Sequence, residues 1–140
     1  MISKFSIVNK YSILGQNCVI EPFTIIGHPE LWNSLDFKNS EYDNIDDFFL
    51  LKKCQVSIGE NSIIRSGSVF YENVNIGMNF QCGSNVIIRS LCLIGDNVYV
   101  KNNSEIMRNV IISNNCRIAG IVCDYTKMGN NVYSYGTISQ

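Results

Sequence analysis

The chain has one histidine, His28, among its 140 residues. A catalytic zinc held by three imidazoles therefore has no ligand set here. No two cysteines form a CxxC pair, and neither a GxxxxGKS/T loop nor a GxGxxG fingerprint occurs, so ATP or dinucleotide binding by those motifs has no support. An excess of positive charge is also missing. Lys and Arg number 11 against 12 Asp and Glu, the net charge is -1, and the two signs are mixed along the chain. Nothing provides the positive field that nucleic acid or an anionic membrane requires. No run approaches the roughly 18 apolar residues of a membrane span, and Met1-Ile2-Ser3-Lys4-Phe5 carries no long apolar region of a signal peptide. The expectation is a soluble, cytoplasmic protein with no nucleic-acid or membrane partner and no metal. At 140 residues and 46% hydrophobic content, there is material for one domain over residues 1–140 with one continuous core.

What the sequence does contain is a repeat of six. From Ile58, steps of six give Ile64, Phe70, Ile76, Cys82, Ile88, Ile94, Val100, Ile106, Ile112 and Ile118. Four residues after each comes a second, usually small position, as in Ser62, Ser68, Val74, Val86, Cys92, Val98 and Ser104. This spacing matches neither a helical period nor simple strand alternation, but it fits a short strand, a corner and another short strand. Ile58-Gly59-Glu60-Asn61, Ile76-Gly77-Met78-Asn79 and Ile94-Gly95-Asp96-Asn97 recur every eighteen residues, so three hexads make one triangular coil. Gly and Asn at that corner point to a turn with positive φ, and Asn61, Asn79, Asn97 and Asn115 are placed to form a side-chain ladder. Cys18, Cys82, Cys92 and Cys116 fall on inward positions, which predicts reduced, structural thiols.

The same phase runs through Ile2, Val8, Leu14, Ile20 and Ile26, and is lost over residues 30–51. That segment reads as a loop inserted at a corner, with a short helix near 44–51. The signature Met128-Gly129-Asn130-Asn131 comes sixteen residues after Ile112 instead of eighteen. Residues 124–140 are therefore expected to form an irregular last coil. An open sheet edge there needs a partner or a continuation of the chain.

With these repeats the chain resembles the left-handed parallel β-helix acyltransferases, the hexapeptide-repeat or isoleucine-patch superfamily, over nearly everything except residues 30–51. The resemblance implies an all-β, left-handed parallel β-helix, a homotrimer with sites between neighbouring solenoids, and acetyl-CoA as donor co-substrate. Arg65-Ser66-Gly67-Ser68-Val69-Phe70-Tyr71 and Asn79-Phe80-Gln81-Cys82-Gly83-Ser84-Asn85-Val86-Ile87-Ile88-Arg89 are similar to a group that N-acetylates sugar nucleotides. The commonest form of the second motif has His where Ser84 stands. The implied activity is N-acetyl transfer to a nucleotide-linked amino sugar; the alternative is a noncatalytic scaffold or assembly module that has lost the catalytic His.

Acetyl transfer needs a nucleophile, a proton acceptor and donors for the oxyanion. His28 is the only imidazole, and His28-Pro29 either supplies the base or shapes the exit of the loop. His28 and Asn85 are the catalytic candidates. Stacking at period eighteen sets Arg65-Ser66-Gly67, Gly83-Ser84-Asn85 and Lys101-Asn102-Asn103 on one corner. There Arg65 and Lys101 could bind phosphate, and Ser84 and Asn102 could orient a sugar; the other reading is a solvated corner of turn-forming residues. Trp32, from the inserted loop, is the candidate for flanking a base or pantetheine, or else pins the loop.

Overall fold

The computed structural model describes residues 1–30 and 32–139; Leu31, at the head of the inserted loop, and Gln140 lie outside the described residues. Strands of two to six residues alternate with corners, and among the described residues every strand pairing is parallel. The chain is a triangular parallel β-solenoid of three hexads per coil with one inserted loop, as the repeat predicts. On the first face Ile20, Ile64, Cys82, Val100 and Ile118 stack in register. The second carries Val8, Ile26, Phe70, Ile88, Ile106 and Val122, and the third Leu14, Ile58, Ile76, Ile94, Ile112 and Met128.

These columns meet in one core. Each buried aliphatic side chain contributes roughly 1.5–3 kcal/mol, which makes the stack the main source of stability. The small inward positions include polar residues, and the coils satisfy them. Ser68 donates to the Gly83 carbonyl at 3.2 Å and accepts from the Val86 amide at 3.1 Å; Ser62 donates to the Gly59 carbonyl at 2.8 Å and accepts from Phe80 at 3.2 Å. Serine at these sites joins one coil to the next, so its burial is not left uncompensated.

The corner signature divides its labour between two residues. Among the described residues thirteen other than glycine have positive φ, and ten of them are asparagines, including Asn61, Asn79, Asn97 and Asn115. The asparagine thus takes the left-handed turn that the sequence pattern assigned to Gly and Asn together. The glycine answers a different constraint: a Cβ on Gly59 would lie 2.5 Å from the backbone carbon of Gly77 in the next coil. The expected ladder forms, with Asn79 donating to Asn97 at 3.0 Å and Asn97 to Asn115 at 3.2 Å, and Asn17 joins Asn61 at 3.3 Å.

The inserted loop leaves the second face after the strand Ile25–His28 and returns at Val56–Ile58. Its described residues form two helices, α1 (Ser34–Lys38) and α2 (Ile45–Leu51). The first was not anticipated, although Asn33 and Asp36 are spaced for the reciprocal cap they form, with the Asn33 side chain accepting from Asp36 N and the Asp36 side chain from Asn33 N. Phe48 is buried and is ringed by Trp32, Phe37, Tyr42 and Phe49. Asn9, itself buried, donates to the Phe49 carbonyl at 3.0 Å and ties the loop to the first coil.

The sixteen-residue coil has a simple cause. Arg117–Val122 is one continuous strand across two faces, pairing with Tyr99 and Val100 at one end and with Glu105 and Ile106 at the other. Two corner residues are dispensed with, and Gly120 makes the bend at φ +108°, stacked on Gly136 at φ +111°.

Gly59→Ala should destabilise the solenoid by about 1–3 kcal/mol, because backbone must shift to admit the methyl group; denaturant unfolding measures it, and an unchanged midpoint would contradict the close-approach role. All six cysteines are free, and five are buried. Burial above all, with Glu72 adding to it, pushes Cys54 up to about 12, and burial pushes Cys92 up to about 11. Both stay thiols at pH 8, so iodoacetamide on the native protein should mark half-buried Cys123 first and leave Cys54 and Cys92 unmodified by mass spectrometry.

Candidate functional site

The corner between the first and second faces brings Arg65–Gly67, Gly83–Asn85 and Lys101–Asn103 together in consecutive coils, since Ile64, Cys82 and Val100 stack directly. Much of its polar capacity is spent locally. The Asn102 side-chain oxygen accepts from the Ser84 amide at 2.8 Å. Arg65 donates to the Cys82 carbonyl at 3.1 Å and to Gln81 at 3.4 Å. Asn85 sits at φ +58°, donating its amide to the Ser66 carbonyl at 3.1 Å. Lys101 lies over the Tyr135 ring, 4.8 Å from its centroid.

The second cluster surrounds the exit of the inserted loop. His28 ends its strand with Nδ1 2.7 Å from the Pro29 carbonyl oxygen. A carbonyl only accepts, so Nδ1 carries the proton and, in the neutral ring, Nε2 is the proton acceptor. The imidazole packs against Phe49 and Tyr71, both at 4.9 Å between centroids. Arg89 lies over Tyr71 at 4.8 Å. It bridges Glu105 at 3.1 Å and Glu30 at 3.5 Å. Burial opposes the charge on Arg89, but the hydrogen bond to Glu105 and the fields of Tyr71, Glu30 and Glu105 outweigh it and hold the guanidinium above its ordinary value. Glu30 also accepts from the Ser90 amide at 3.3 Å, while its own amide donates to Glu72 at 3.2 Å.

Alongside runs a cleft of about 290 Å³ lined by Glu30, Glu72, Ser90, Leu91, Arg108 and Tyr125. Leu91 (φ +64°) and Tyr125 (φ +64°) occupy the left-handed corner position that Asn73 and Asn109 hold in neighbouring coils, and both are exposed. A bulky side chain there costs roughly 1–2 kcal/mol relative to a right-handed residue, and such strain gathers at functional sites. None of Glu30, Glu72, Arg89, Leu91 and Tyr125 stood out from the sequence as a site residue. A leucine and a tyrosine in register with Asn73 and Asn109 were the available signal.

His28 and Asn85 do not come together. His28 aligns with Tyr71 at one end of the second face, whereas Asn85 lies at the other end, beside Gly67. Four residues of strand, roughly 13 Å, separate those two positions. Trp32 is one ring removed from the imidazole, packing on Phe49 at 5.2 Å.

The class that this register defines is the triangular parallel β-helix. No known protein-family profile matches the chain, and no curated protein matches it. Among solved structures it is similar to the Arabidopsis UDP-N-acetylglucosamine acyltransferase, at 15% identity and a TM-score of 0.36, over 95% of this chain and 60% of that one. This chain thus spans somewhat less than two thirds of that protein's length. Among the described residues, no helix is long and apolar enough to cross a membrane.

Arg89→Met should cost about 3 kcal/mol or more, because it leaves Glu30, whose side chain is 10% exposed, without its cation. Arg89→Met combined with Glu30→Gln should recover part of that loss in chemical denaturation; a loss in the double variant equal to the sum of the two single losses would show that the pair is not coupled.

Proposed function

We propose that this chain is an acyltransferase that moves the acetyl group of acetyl-CoA to the amine of a nucleotide-linked amino sugar and works as a homotrimer. The observation that carries the reading is the state of His28: its Nδ1–H is committed to Pro29, and Nε2 is left as a base. In the reaction, Nε2 takes a proton from the attacking amine, the C–N bond forms as the C–S bond breaks, and the thiol of coenzyme A leaves with the proton. Exposed Leu91 and Tyr125 supply an apolar wall for the pantetheine arm beside His28.

The trimer reading is supported by the outer column of the second face, where Ile7, Ile25, Val69 and Ile87 stack outward and half-buried. Packing these columns around a threefold axis sets the His28 edge of one protomer against the Arg65 and Lys101 edge of its neighbour. His28 would then act on a sugar nucleotide whose phosphates lie against Lys101 and Arg65 and whose sugar lies near Ser84, Asn85 and Asn102, with Trp32 backing the loop. The separation of the two clusters within one chain follows from sharing the site between chains.

A second reading, a noncatalytic assembly module in the cytoplasm, is favoured by the hydrogen bonds that Arg65 and Asn102 spend on their own corner. A thiol-release assay with acetyl-CoA and a panel of nucleotide-linked amino sugars decides between them. His28→Gln should lower turnover by roughly 10²–10⁴-fold while leaving the oligomer intact in sedimentation. Mixing inactive His28→Gln and Lys101→Ala chains should restore part of the activity. Unchanged turnover in His28→Gln would remove the proposed base, and a trimeric wild type that releases no thiol with any acceptor selects the assembly reading.

A further inference from the structure

We propose that the outer surface of the first face, near its last coils, is a binding site for an anionic carbohydrate: Tyr99 and Tyr133 stack the sugar, Arg117 holds its acidic group, and the asparagine ladder meets its hydroxyls. This site lies away from the His28 cluster and does not depend on the acyltransferase reading.

Tyr99, Arg117 and Tyr133 form one outward column on three successive coils. The guanidinium carbon of Arg117 is 5.9 Å from the Tyr99 ring centroid and 6.0 Å from that of Tyr133. Two rings therefore hold the cation from either side. The arginine itself is exposed. Among the described residues no carboxylate pairs with it, whereas Arg89 on the next face is engaged by both Glu30 and Glu105. A planar cation fixed between aromatic faces and lacking an internal counter-charge matches the flat, two-oxygen edge of a carboxylate or phosphate. Tyr133 is 66% exposed, so its ring is available to the apolar face of a pyranose.

The ladder runs beside that column. A side-chain amide has two N–H donors and two oxygen lone pairs, and the bonds from Asn79 to Asn97 and from Asn97 to Asn115 use one donor of each giver and one lone pair of each receiver. Donors and acceptors both remain along the ladder, as hydroxyl groups require, since a hydroxyl gives and takes. The shortened last coil ends the series: among the described residues no hydrogen bond joins Asn115 to Asn131. The two columns share a groove of about 280 Å³. An inorganic anion would use the arginine alone, and an apolar ligand would bury the amides unpaired. A charged sugar uses all three chemistries.

The test is calorimetric titration of the full chain with a short oligogalacturonate, the matching neutral oligogalactose, glucose 1-phosphate and inorganic phosphate. Binding of the uronate oligomer or of the sugar phosphate, weakening as salt rises, is the expected result, and which of the two binds tells carboxylate from phosphate recognition. Arg117→Gln should weaken it roughly tenfold or more, Arg117→Lys should keep a share, and Tyr133→Ala should weaken it without moving the melting temperature. Undiminished binding by Arg117→Gln overturns the proposal. So does inorganic phosphate binding as tightly as the sugar phosphate with Tyr133→Ala unaffected, or a wild-type chain that binds no anionic sugar.

Discussion

Each coil is hydrogen-bonded to the next through its backbone, as when Gly77 donates to the Ile94 carbonyl at 2.9 Å and Gly95 to that of Ile112 at 2.8 Å. That bonding fixes the register, and register turns sequence period into columns: a residue type repeated every eighteen positions lies directly above itself. An inward column of isoleucine becomes core, a corner column of asparagine becomes a ladder, and a glycine column lets one coil approach the next. Because the strands are only a few residues long, no single coil buries enough to stand alone, and stability resides in the contact between neighbours. The columns consequently tolerate change only at corners. The inserted loop leaves from one corner, and the shortened coil removes another, while the inward columns pass both events unbroken.

Columns also explain which parts of the molecule the sequence disclosed. Ile58, Ile76, Ile94 and Ile112 differ so little that their stacking could be read directly, and the fold with it. The corner at Arg65, Ser84 and Lys101 was legible for the same reason, since period alone places those residues together. Period does not say how a side chain is spent, so the engagement of Arg65 with the Cys82 carbonyl and of Asn102 with the Ser84 amide became visible only in three dimensions. The glycine was legible as a constraint, but its cause was assigned to φ when it is the nearness of the next coil. The inserted loop has no period at all. Its pairing of Glu30 with Arg89, fifty-nine residues apart, had no signal to announce it.

Departures from column identity carry the functional information. A repeat built of near-identical rungs gives every rung the same surface, so a site arises where a rung differs. Leu91 and Tyr125 take the left-handed corner that Asn73 and Asn109 hold in neighbouring coils, Arg117 stands between two tyrosines, and His28 is set where the loop leaves the second face. None of these substitutions improves the core, which is complete without them.

The surroundings of His28 favour a base over a mere loop anchor on chemical grounds. An imidazole kept only for shape gains nothing from a fixed tautomer, and a phenyl ring between Phe49 and Tyr71 would pack as well. The Pro29 carbonyl fixes the proton on Nδ1, while Arg89, over the neighbouring Tyr71 ring, is engaged by Glu30 and Glu105. With Nδ1 donating, the neutral ring presents its lone pair at Nε2, which is the condition a general base must meet before geometry or substrate enters the question.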